Sequence, residues 1–361
     1  MTHDPRNERD GRRIVAFDAL RAVAALMVFA SHMSGTGIFG PFGSFMFGGS
    51  GGVFLFFTLS GYLLFEPFVR GPVDRRAYFT HRFFRIMPAY VVALVGLSVL
   101  SGDTSFTGSP ATYLFFLQNY DQHLFMGFMA PAWTLVLEVV FYLSLPLIAA
   151  LLAHLRPDAG RPGFALAVAG VLSLVGGWGV LVALHGSAGL WLALQFPFMF
   201  WAFVPGMLLA LVAVRRPDAL RQLGSRPMAV AGVAMLVAGI WTNLAYGNLL
   251  TVIGSFLIVA TAIVHRPAGR IIVVLATAGA TLSYAFYLWH FDLIRWLTDK
   301  GFTGWGLAGA ALLLAALVSA VSYLLVERPA LRVGKRVSWL SSGARLSSAE
   351  TQLSATAPPL S

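Results

Sequence analysis

Apolar runs about as long as the hydrocarbon core of a membrane is thick recur along the whole chain. A helix needs about 20 mostly apolar residues to cross a core of about 30 Å. Ten such runs can be marked out: Ile14–Ser34, Phe45–Phe65, Phe83–Leu100, Ala132–Leu152, Gly163–Leu184, Leu190–Val212, Met228–Leu244, Leu249–Val264, Val274–Leu297 and Gly304–Val326. A shorter patch, Tyr113–Tyr120, is typical of a re-entrant or interfacial piece. The pattern predicts an all-α integral membrane protein, a bundle of about ten transmembrane helices.

The composition excludes most other classes of protein. Hydrophobic residues make up 58% of the 361 positions and charged residues 11%, against about 25% charged in an ordinary soluble domain. There is too little charge to coat so much apolar surface in water, which excludes a disordered chain, a coiled coil and a large soluble catalytic domain. Because the chain has no cysteine, disulfides, thiolate nucleophiles and thiolate metal sites are excluded as well. We also expect no metal among the site residues.

The formal net charge of +10 is explained by topology. With the N-terminus in the cytoplasm, 22 of the 25 Lys and Arg residues fall in segments on the cytoplasmic side. The positive-inside rule then predicts a multi-pass protein of the cell (plasma) membrane with both termini cytoplasmic, and no nucleic-acid partner. We divide the chain into a basic segment, residues 1–13, a transmembrane domain, residues 14–336, and a tail, residues 337–361, whose Ser, Ala and Pro predict disorder.

Two polar residues of the first span, Arg21 and His32, occupy one face of a helix. Eleven helical steps separate them, which brings them within about 20° around the axis and about 16 Å apart along it. A charge inside a span costs about 2.5 to 3.5 kcal/mol on insertion scales. The shared face therefore predicts a polar stripe that is turned towards other helices. The alternative is that Arg21 extends to the interface and His32 bonds to a neighbouring backbone.

Glu138 in the fourth span and His290 in the ninth are expected at a depth similar to that of His32. A carboxylate within reach of an imidazole can fix its tautomer and stabilise its charged form, so we expect Glu138 to position His32. A helix-packing carboxylate with another partner is the alternative. His290 shares a stripe with Ser283 and Tyr287, at steps of three and four, and it either meets the substrate or belongs to an aromatic belt.

Three more residues keep two interpretations each. Ser60, which precedes Gly61, is either part of a close-packing notch or a group that contacts or attacks the substrate. Arg82 and Arg85 are either positive-inside residues or bind the phosphates of a cytoplasmic cofactor, a task that suits guanidinium groups. The end of the last span, Glu327–Pro329, is typical of a helix stop.

Six stretches of the chain carry a resemblance, in this order: Phe17–His32, in which ten residues lie between an arginine and a histidine, Gly52–Leu64, His81–Tyr90, Trp133–Tyr142, Ser283–His290 and Val326–Pro329. They resemble, one after the other, the motifs of the acyltransferase 3 family of integral membrane acyltransferases. The resemblance covers about residues 14 to 336. Val139 and Val140 stand where the family often has Glu-Gln, and His81 replaces an arginine. These departures concern the choice of acceptor more than the reaction.

The resemblance implies a membrane-embedded O-acyltransferase. Such a protein moves an acyl group, usually acetyl, from cytoplasmic acyl-CoA to a hydroxyl of a carbohydrate, glycolipid or secondary metabolite. Acyl-CoA is then a co-substrate, and no tightly bound cofactor is expected. A transporter or flippase of a polar lipid or metabolite is the alternative function.

The resemblance also implies a role for each polar residue. His32 is expected to be the general base, Glu138 to position its imidazole, and Arg21 to bind the donor or stabilise an oxyanion. A transient acyl-His32 is the alternative chemical route. We expect Arg82 and Arg85 to bind the donor, and Ser60, Tyr287 and His290 to bind the substrate.

Overall fold

The computed structural model describes residues 15–38, 50–155, 160–242, 245–265 and 269–338. These residues form helices and connecting loops, without a strand among them, so the predicted all-α class is confirmed. Among these described residues, ten helices have 12 or more residues: α1 Val15–Ser34, α2 Ser50–Arg70, α3 Arg75–Ser101, α4 Ala132–Ala153, α5 Arg161–Leu184, α6 Val204–Arg215, α7 Arg226–Thr242, α8 Ala245–Val264, α9 Arg270–Asp299 and α10 Gly304–Ser322. The basic segment 1–13 and residues 339–361 of the predicted tail lie outside the described residues.

Within the described residues, seven helices are long and apolar enough to cross a membrane by themselves. The number rises to nine if each of two bent pairs crosses as one unit. These pairs are Phe196–Ala202 with Val204–Arg215, bent by 45°, and Pro217–Leu223 with Arg226–Thr242, bent by 57°. The protein is therefore a multi-pass helical membrane protein. The count of ten spans and the cytoplasmic termini stay predictions.

The predicted span Leu190–Val212 is wrong as a single helix. The chain is broken there into Gly186–Ala193, Phe196–Met199, a 3-10 turn at Phe200–Ala202, and α6. Two of these pieces carry a proline in their first turn, Pro197 and Pro205. Proline lacks the N–H that a helix interior needs, whereas the first turn has no use for it, so each proline starts a new helix.

The last helix does not stop where the sequence predicted. Helix α10 continues beyond Ser322 through a wider π-helical turn at Tyr323–Glu327. With this turn and the helical residues that follow, the whole helix runs from Gly304 to Ser338. Pro329 follows this turn by two residues, and a proline ring clashes with the backbone of the preceding helical turn. The extra residue in the wider turn gives the proline room without ending the helix.

Helix α3 begins eight residues before the predicted span. The side chain of Asp74 accepts hydrogen bonds from the backbone N–H groups of Arg76 (2.9 Å) and Ala77 (3.3 Å), which caps the helix at Arg75. Arg82 and Arg85 therefore lie on a helix rather than in a connecting loop. Their spacing of three residues places them on neighbouring positions of one helix face.

The loop between α3 and α4 is fixed to its neighbours through Asn119. The Asn119 side chain donates a hydrogen bond to the carbonyl of Trp133 (2.8 Å). The Asn119 carbonyl accepts bonds from the side chains of Trp191 (2.8 Å) and Gln195 (2.9 Å). This loop contains the patch Tyr113–Tyr120, which forms a short helix and a single 3-10 turn. The loop thus holds the start of α4 against the broken segment before α6.

Helix α2 lies in the middle of the bundle and packs against α1, α4, α6 and α8, while α1 also packs along α9. Glycines make the closest of these approaches possible. A Cβ atom on Gly206 would lie 2.0 Å from the carbonyl oxygen of Thr58, and one on Gly61 would lie 2.2 Å from that of Phe203. A Cβ on Gly279 of α9 would lie 2.6 Å from the Cβ of Ala22 on α1. The backbones of α2 and α6 therefore touch beside Ser60.

We expect the Gly206→Ala variant to be less stable than the wild type, because its methyl group would meet the backbone of α2. Overpacking of this kind costs about 1–3 kcal/mol. The measurement is the midpoint of thermal unfolding in detergent. Gly309→Ala is the matched control, since nothing lies within 4 Å of a Cβ at this helical position. Equal midpoints for the two variants would contradict the close approach of α2 and α6.

Candidate functional site

Two adjacent cavities lie in the bundle around α1, α2, α4 and α9. The arginine cavity has a volume of about 110 Å³, and its polar lining residues are Arg21, Ser60, Arg82, Arg85, Thr134, Glu138, Tyr142, Ser283, Tyr284 and Tyr287. The tryptophan cavity, of about 720 Å³, is lined by His32 and by three indoles, Trp133, Trp178 and Trp201. Val53 and Tyr287 line both cavities and form the wall between them. The folded chain thus gathers six of the eight predicted site residues in one cavity and places His32 in the next.

The guanidinium groups of the arginine cavity are held in different ways. Arg82 lies over two aromatic rings, with its Cζ 5.4 Å from the ring centre of Tyr142 and 5.8 Å from that of Tyr78. Arg85 lies 5.6 Å from the ring centre of Tyr284 and forms an ion pair with Glu327, at 3.5 Å between Nη1 and Oε2. These contacts aim two cations from α3 into the cavity.

The guanidinium of Arg21 differs from those of Arg82 and Arg85 in its contacts. Its charge interacts with those of Arg85 and Glu138, but within the described residues its guanidinium makes neither a hydrogen bond nor an ion pair shorter than 4 Å. A guanidinium carries five N–H donors and stays charged. Arg21 can therefore bind an anionic or carbonyl oxygen of a ligand without losing a protein contact.

Glu138 is bound by two neighbouring hydroxyls. Ser60 donates a hydrogen bond of 2.8 Å to its Oε1 atom, and the hydroxyl of Tyr142, one turn along α4, donates to the same oxygen. The second oxygen, Oε2, makes no hydrogen bond within the described part of the chain. Ser60 and Glu138 are thus a hydrogen-bonded pair, next to the point where Gly61 allows α6 to approach.

Tyr287 stands in the wall between the cavities with its hydroxyl fixed. This hydroxyl lies 2.8 Å from the carbonyl oxygen of Pro131, to which it can donate. It also shares a hydrogen bond with the hydroxyl of Thr134, which lies 3.2 Å from the same carbonyl. The ring of Tyr287 lies edge-on to that of Phe56, with 6.2 Å between the ring centres. The phenol therefore closes the passage between the cavities in this structure, and its hydroxyl already has protein partners.

His32 has a partner that the sequence did not predict. Its Nδ1 atom lies 2.8 Å from Nε2 of His290, and the two rings lie edge to edge, with centres 5.0 Å apart and 24° between their planes. Glu138 was expected beside His32, but among the described residues its hydrogen bonds go to Ser60 and Tyr142. The structure thus brings His290 to the imidazole and leaves the carboxylate with the arginines. His290 itself is 1% exposed.

Sequence reasoning missed two partners of the charged residues that line the arginine cavity. Tyr142 lies four positions after Glu138, and this spacing is the signal that could have paired them. Glu327 was interpreted as part of a helix stop, but it is buried and paired with Arg85. A carboxylate that directly follows an apolar run of span length is the signal in that case, because an unpaired charge there would be costly.

We expect the Arg85–Glu327 pair to be energetically coupled. The variants Arg85→Gln and Glu327→Gln, alone and combined, form a double-mutant cycle, and the coupling should be about 1 kcal/mol or more, since Glu327 is buried. Denaturant unfolding in mixed micelles measures it. The surface pair Glu66 and Arg70, one turn apart on α2, is the matched control and should show coupling below about 0.5 kcal/mol. Coupling no greater than in the control would remove the role of Glu327 in holding Arg85.

Known proteins are similar to the chain over most of its length. The family model described as the acyltransferase domain matches residues 14–327. Acyltransferase MdmB of Streptomyces mycarofaciens is 29% identical over an alignment of 377 positions, gaps included, which covers 90% of the chain and 93% of that protein. Nodulation protein 10 of Rhizobium leguminosarum bv. viciae is 29% identical over an alignment of 177 positions, which covers 40% of the chain and 46% of that protein, so the match spans less than half of this relative. No solved structure matches the chain.

Proposed function

The chain belongs to the acyltransferase 3 family, and on this premise we propose that it is an acyl-CoA-dependent O-acyltransferase of the cell membrane. It moves an acyl group, acetyl in the simplest case, to a hydroxyl of a carbohydrate, glycolipid or secondary metabolite. The observation that carries the proposal is the pair of cavities with one shared wall, with guanidinium groups on one side and an imidazole on the other. This division fits a reaction that brings an anionic donor and a hydroxyl acceptor together from opposite sides.

The arginine cavity is the proposed donor site. Arg82 and Arg85 lie near the start of α3, the helix end at which Arg75 and Arg76 also lie, and the positive-inside rule predicts that this end faces the cytoplasm. The phosphates of acyl-CoA would be bound at this end. Sites for drug-sized ligands occupy about 300–1,000 Å³. A cavity of about 110 Å³ therefore suits only the acyl end of the donor, with the thioester carbonyl near Arg21.

The tryptophan cavity is the proposed acceptor site. Its volume of about 720 Å³ lies within the range of small-molecule sites. The flat faces of Trp133, Trp178 and Trp201 suit the apolar face of a sugar ring or another apolar body. Among the described residues of this lining, His32 is the one that carries an imidazole. An acceptor hydroxyl would therefore meet the imidazole there.

In the proposed reaction the wall between the cavities opens, so that the thioester carbonyl lies between Arg21 and His32. The acceptor oxygen then attacks the carbonyl carbon while His32 takes the hydroxyl proton. The tetrahedral oxyanion that forms is stabilised by Arg21, whose donors have no competing partner among the described residues. The carbon–sulfur bond then breaks, and the proton on His32 passes to the leaving thiolate of CoA. Glu138 keeps a catalytic place in this proposal through the arginine cavity, where it orients Ser60 and balances the charge of the arginines.

Replacing His32 by Ala should abolish transfer, because the acceptor hydroxyl loses its base. The assay incubates the purified protein in liposomes with isotope-labelled acetyl-CoA and an extract of the producing cells, and mass spectrometry follows a labelled ester. General-base catalysis contributes about 10²–10⁴-fold, so the product should fall by at least about 10²-fold. His265→Ala, at an exposed histidine after α8, is the matched control for expression and insertion. Full activity of the His32 variant would refute the assignment, and wild-type movement of an unmodified substrate without acyl-CoA would favour the transporter.

Replacing Arg82 by Gln should weaken donor binding. A hydrogen bond to a charged group contributes about 1.5–3 kcal/mol, so the KM for acetyl-CoA should rise about tenfold or more, while the KM for the acceptor stays unchanged. Arg76→Gln is the matched control, because Arg76 is exposed at the same end of α3. If the KM for acetyl-CoA were the same in both variants, Arg82 would have no part in donor binding and would serve only the positive-inside topology.

A further inference from the structure

The contacts of His290 with the backbone fix where its proton lies. Its Nδ1 atom lies 3.0 Å from the carbonyl oxygen of Phe286 and 2.9 Å from that of Tyr287. A carbonyl oxygen only accepts hydrogen bonds. Nδ1 must therefore carry the hydrogen, shared between the two carbonyls. In a neutral ring the other nitrogen, Nε2, is then an acceptor.

This acceptor faces His32. The 2.8 Å between Nε2 of His290 and Nδ1 of His32 is a hydrogen-bond distance, and it requires a hydrogen on one of the two nitrogens. Because Nε2 of His290 is an acceptor, Nδ1 of His32 carries this hydrogen. For two neutral rings the assignment is unique, and it leaves Nε2 of His32 with a free lone pair. That atom makes no hydrogen bond to any described residue, and His32 lines the tryptophan cavity.

Aromatic neighbours keep both rings from turning. The ring of Phe286 stacks on that of His290 with 5.6 Å between centres and 4° between planes. Phe291 lies edge-on to His32, with 4.8 Å between ring centres. A rotated His290 would lose its backbone acceptors as well as this stacking. The orientation of the pair is thus built into the packing of α9 against α1.

We propose that His290 is the positioning residue of the base. The α9 carbonyls hold the hydrogen of His290 on Nδ1, and Nε2 of His290 in turn holds the hydrogen of His32 on its Nδ1. This sets the tautomer of His32 whose Nε2 faces the acceptor. The inference rests on the proposed function only in naming the reaction, since the tautomers follow from the geometry. When His32 takes a proton from the hydroxyl, its Nδ1–H keeps donating to His290, which stabilises the imidazolium. The role expected of Glu138 thus passes to a second histidine.

Two variants separate positioning from packing. In His290→Gln the side-chain oxygen can still accept from Nδ1–H of His32, whereas His290→Leu fills the space without an acceptor. We expect kcat to fall by about 10²-fold in the leucine variant and by less than about tenfold in the glutamine variant, with the KM values for donor and acceptor nearly unchanged in both. Equal kcat values for the two variants would overturn the proposal.

A second measurement needs no turnover and no folded variant of His290. The ¹⁵N shifts of histidine ring nitrogens in the wild-type protein in lipid bilayers report which nitrogen is protonated, and a His32→Gln sample identifies the signals of His32 among the eight histidines. A hydrogen on Nδ1 of His32, with Nε2 unprotonated, supports the positioning role of His290. A hydrogen on Nε2, or on both nitrogens, overturns it. If no acyl group is transferred from the donor at all, the proposed function fails, but this spectrum still decides the tautomer of His32.

Discussion

Guanidinium groups inside an apolar bundle must be held by something other than water, and this requirement shapes the centre of the protein. A charge in a span costs several kcal/mol unless it finds partners. Arg82 is met by two aromatic rings and Arg85 by a ring and a buried carboxylate. Arg21 has no such hydrogen bond or ion pair within the described residues. In the function that we propose, the N–H donors of Arg21 are therefore the groups of the bundle that bind a ligand.

Close helix packing fixes the positions of the polar side chains in the bundle. Polar groups can meet across a bundle only if the backbones between them come close, and small residues permit this in membranes. Contact between Gly61 and Gly206 holds α2 against α6 next to Ser60, which reaches Glu138 of α4. Contact between Gly279 and Ala22 holds α9 against α1 in the same way. The helix pair that carries His290 and His32 is therefore in register before any substrate arrives.

The sequence predicted what depends on local pattern. The apolar runs gave the helical membrane class, and the six motifs gave the family, and both are confirmed. The shared face of Arg21 and His32 follows from helix periodicity alone. The partner of His32 does not, because periodicity places Glu138 and His290 at similar depths but cannot say which side of α1 each helix occupies. The burial of Glu327 was not predicted for a related reason. A π turn that accommodates Pro329 has no simple signature in the sequence, so a helix that continues through the proline resembles one that ends before it.

Helix α9 connects the two halves of the site. It carries Tyr287, which forms the wall between the cavities, and, three residues later, His290, which holds the imidazole of His32. The carbonyl of Tyr287 is also one of the two acceptors that fix the proton of His290. A rotation of α9 that opened the wall would thus also move the partner of His32. In the reaction that we propose, passage between the cavities and activation of the acceptor would therefore both depend on the position of this one helix.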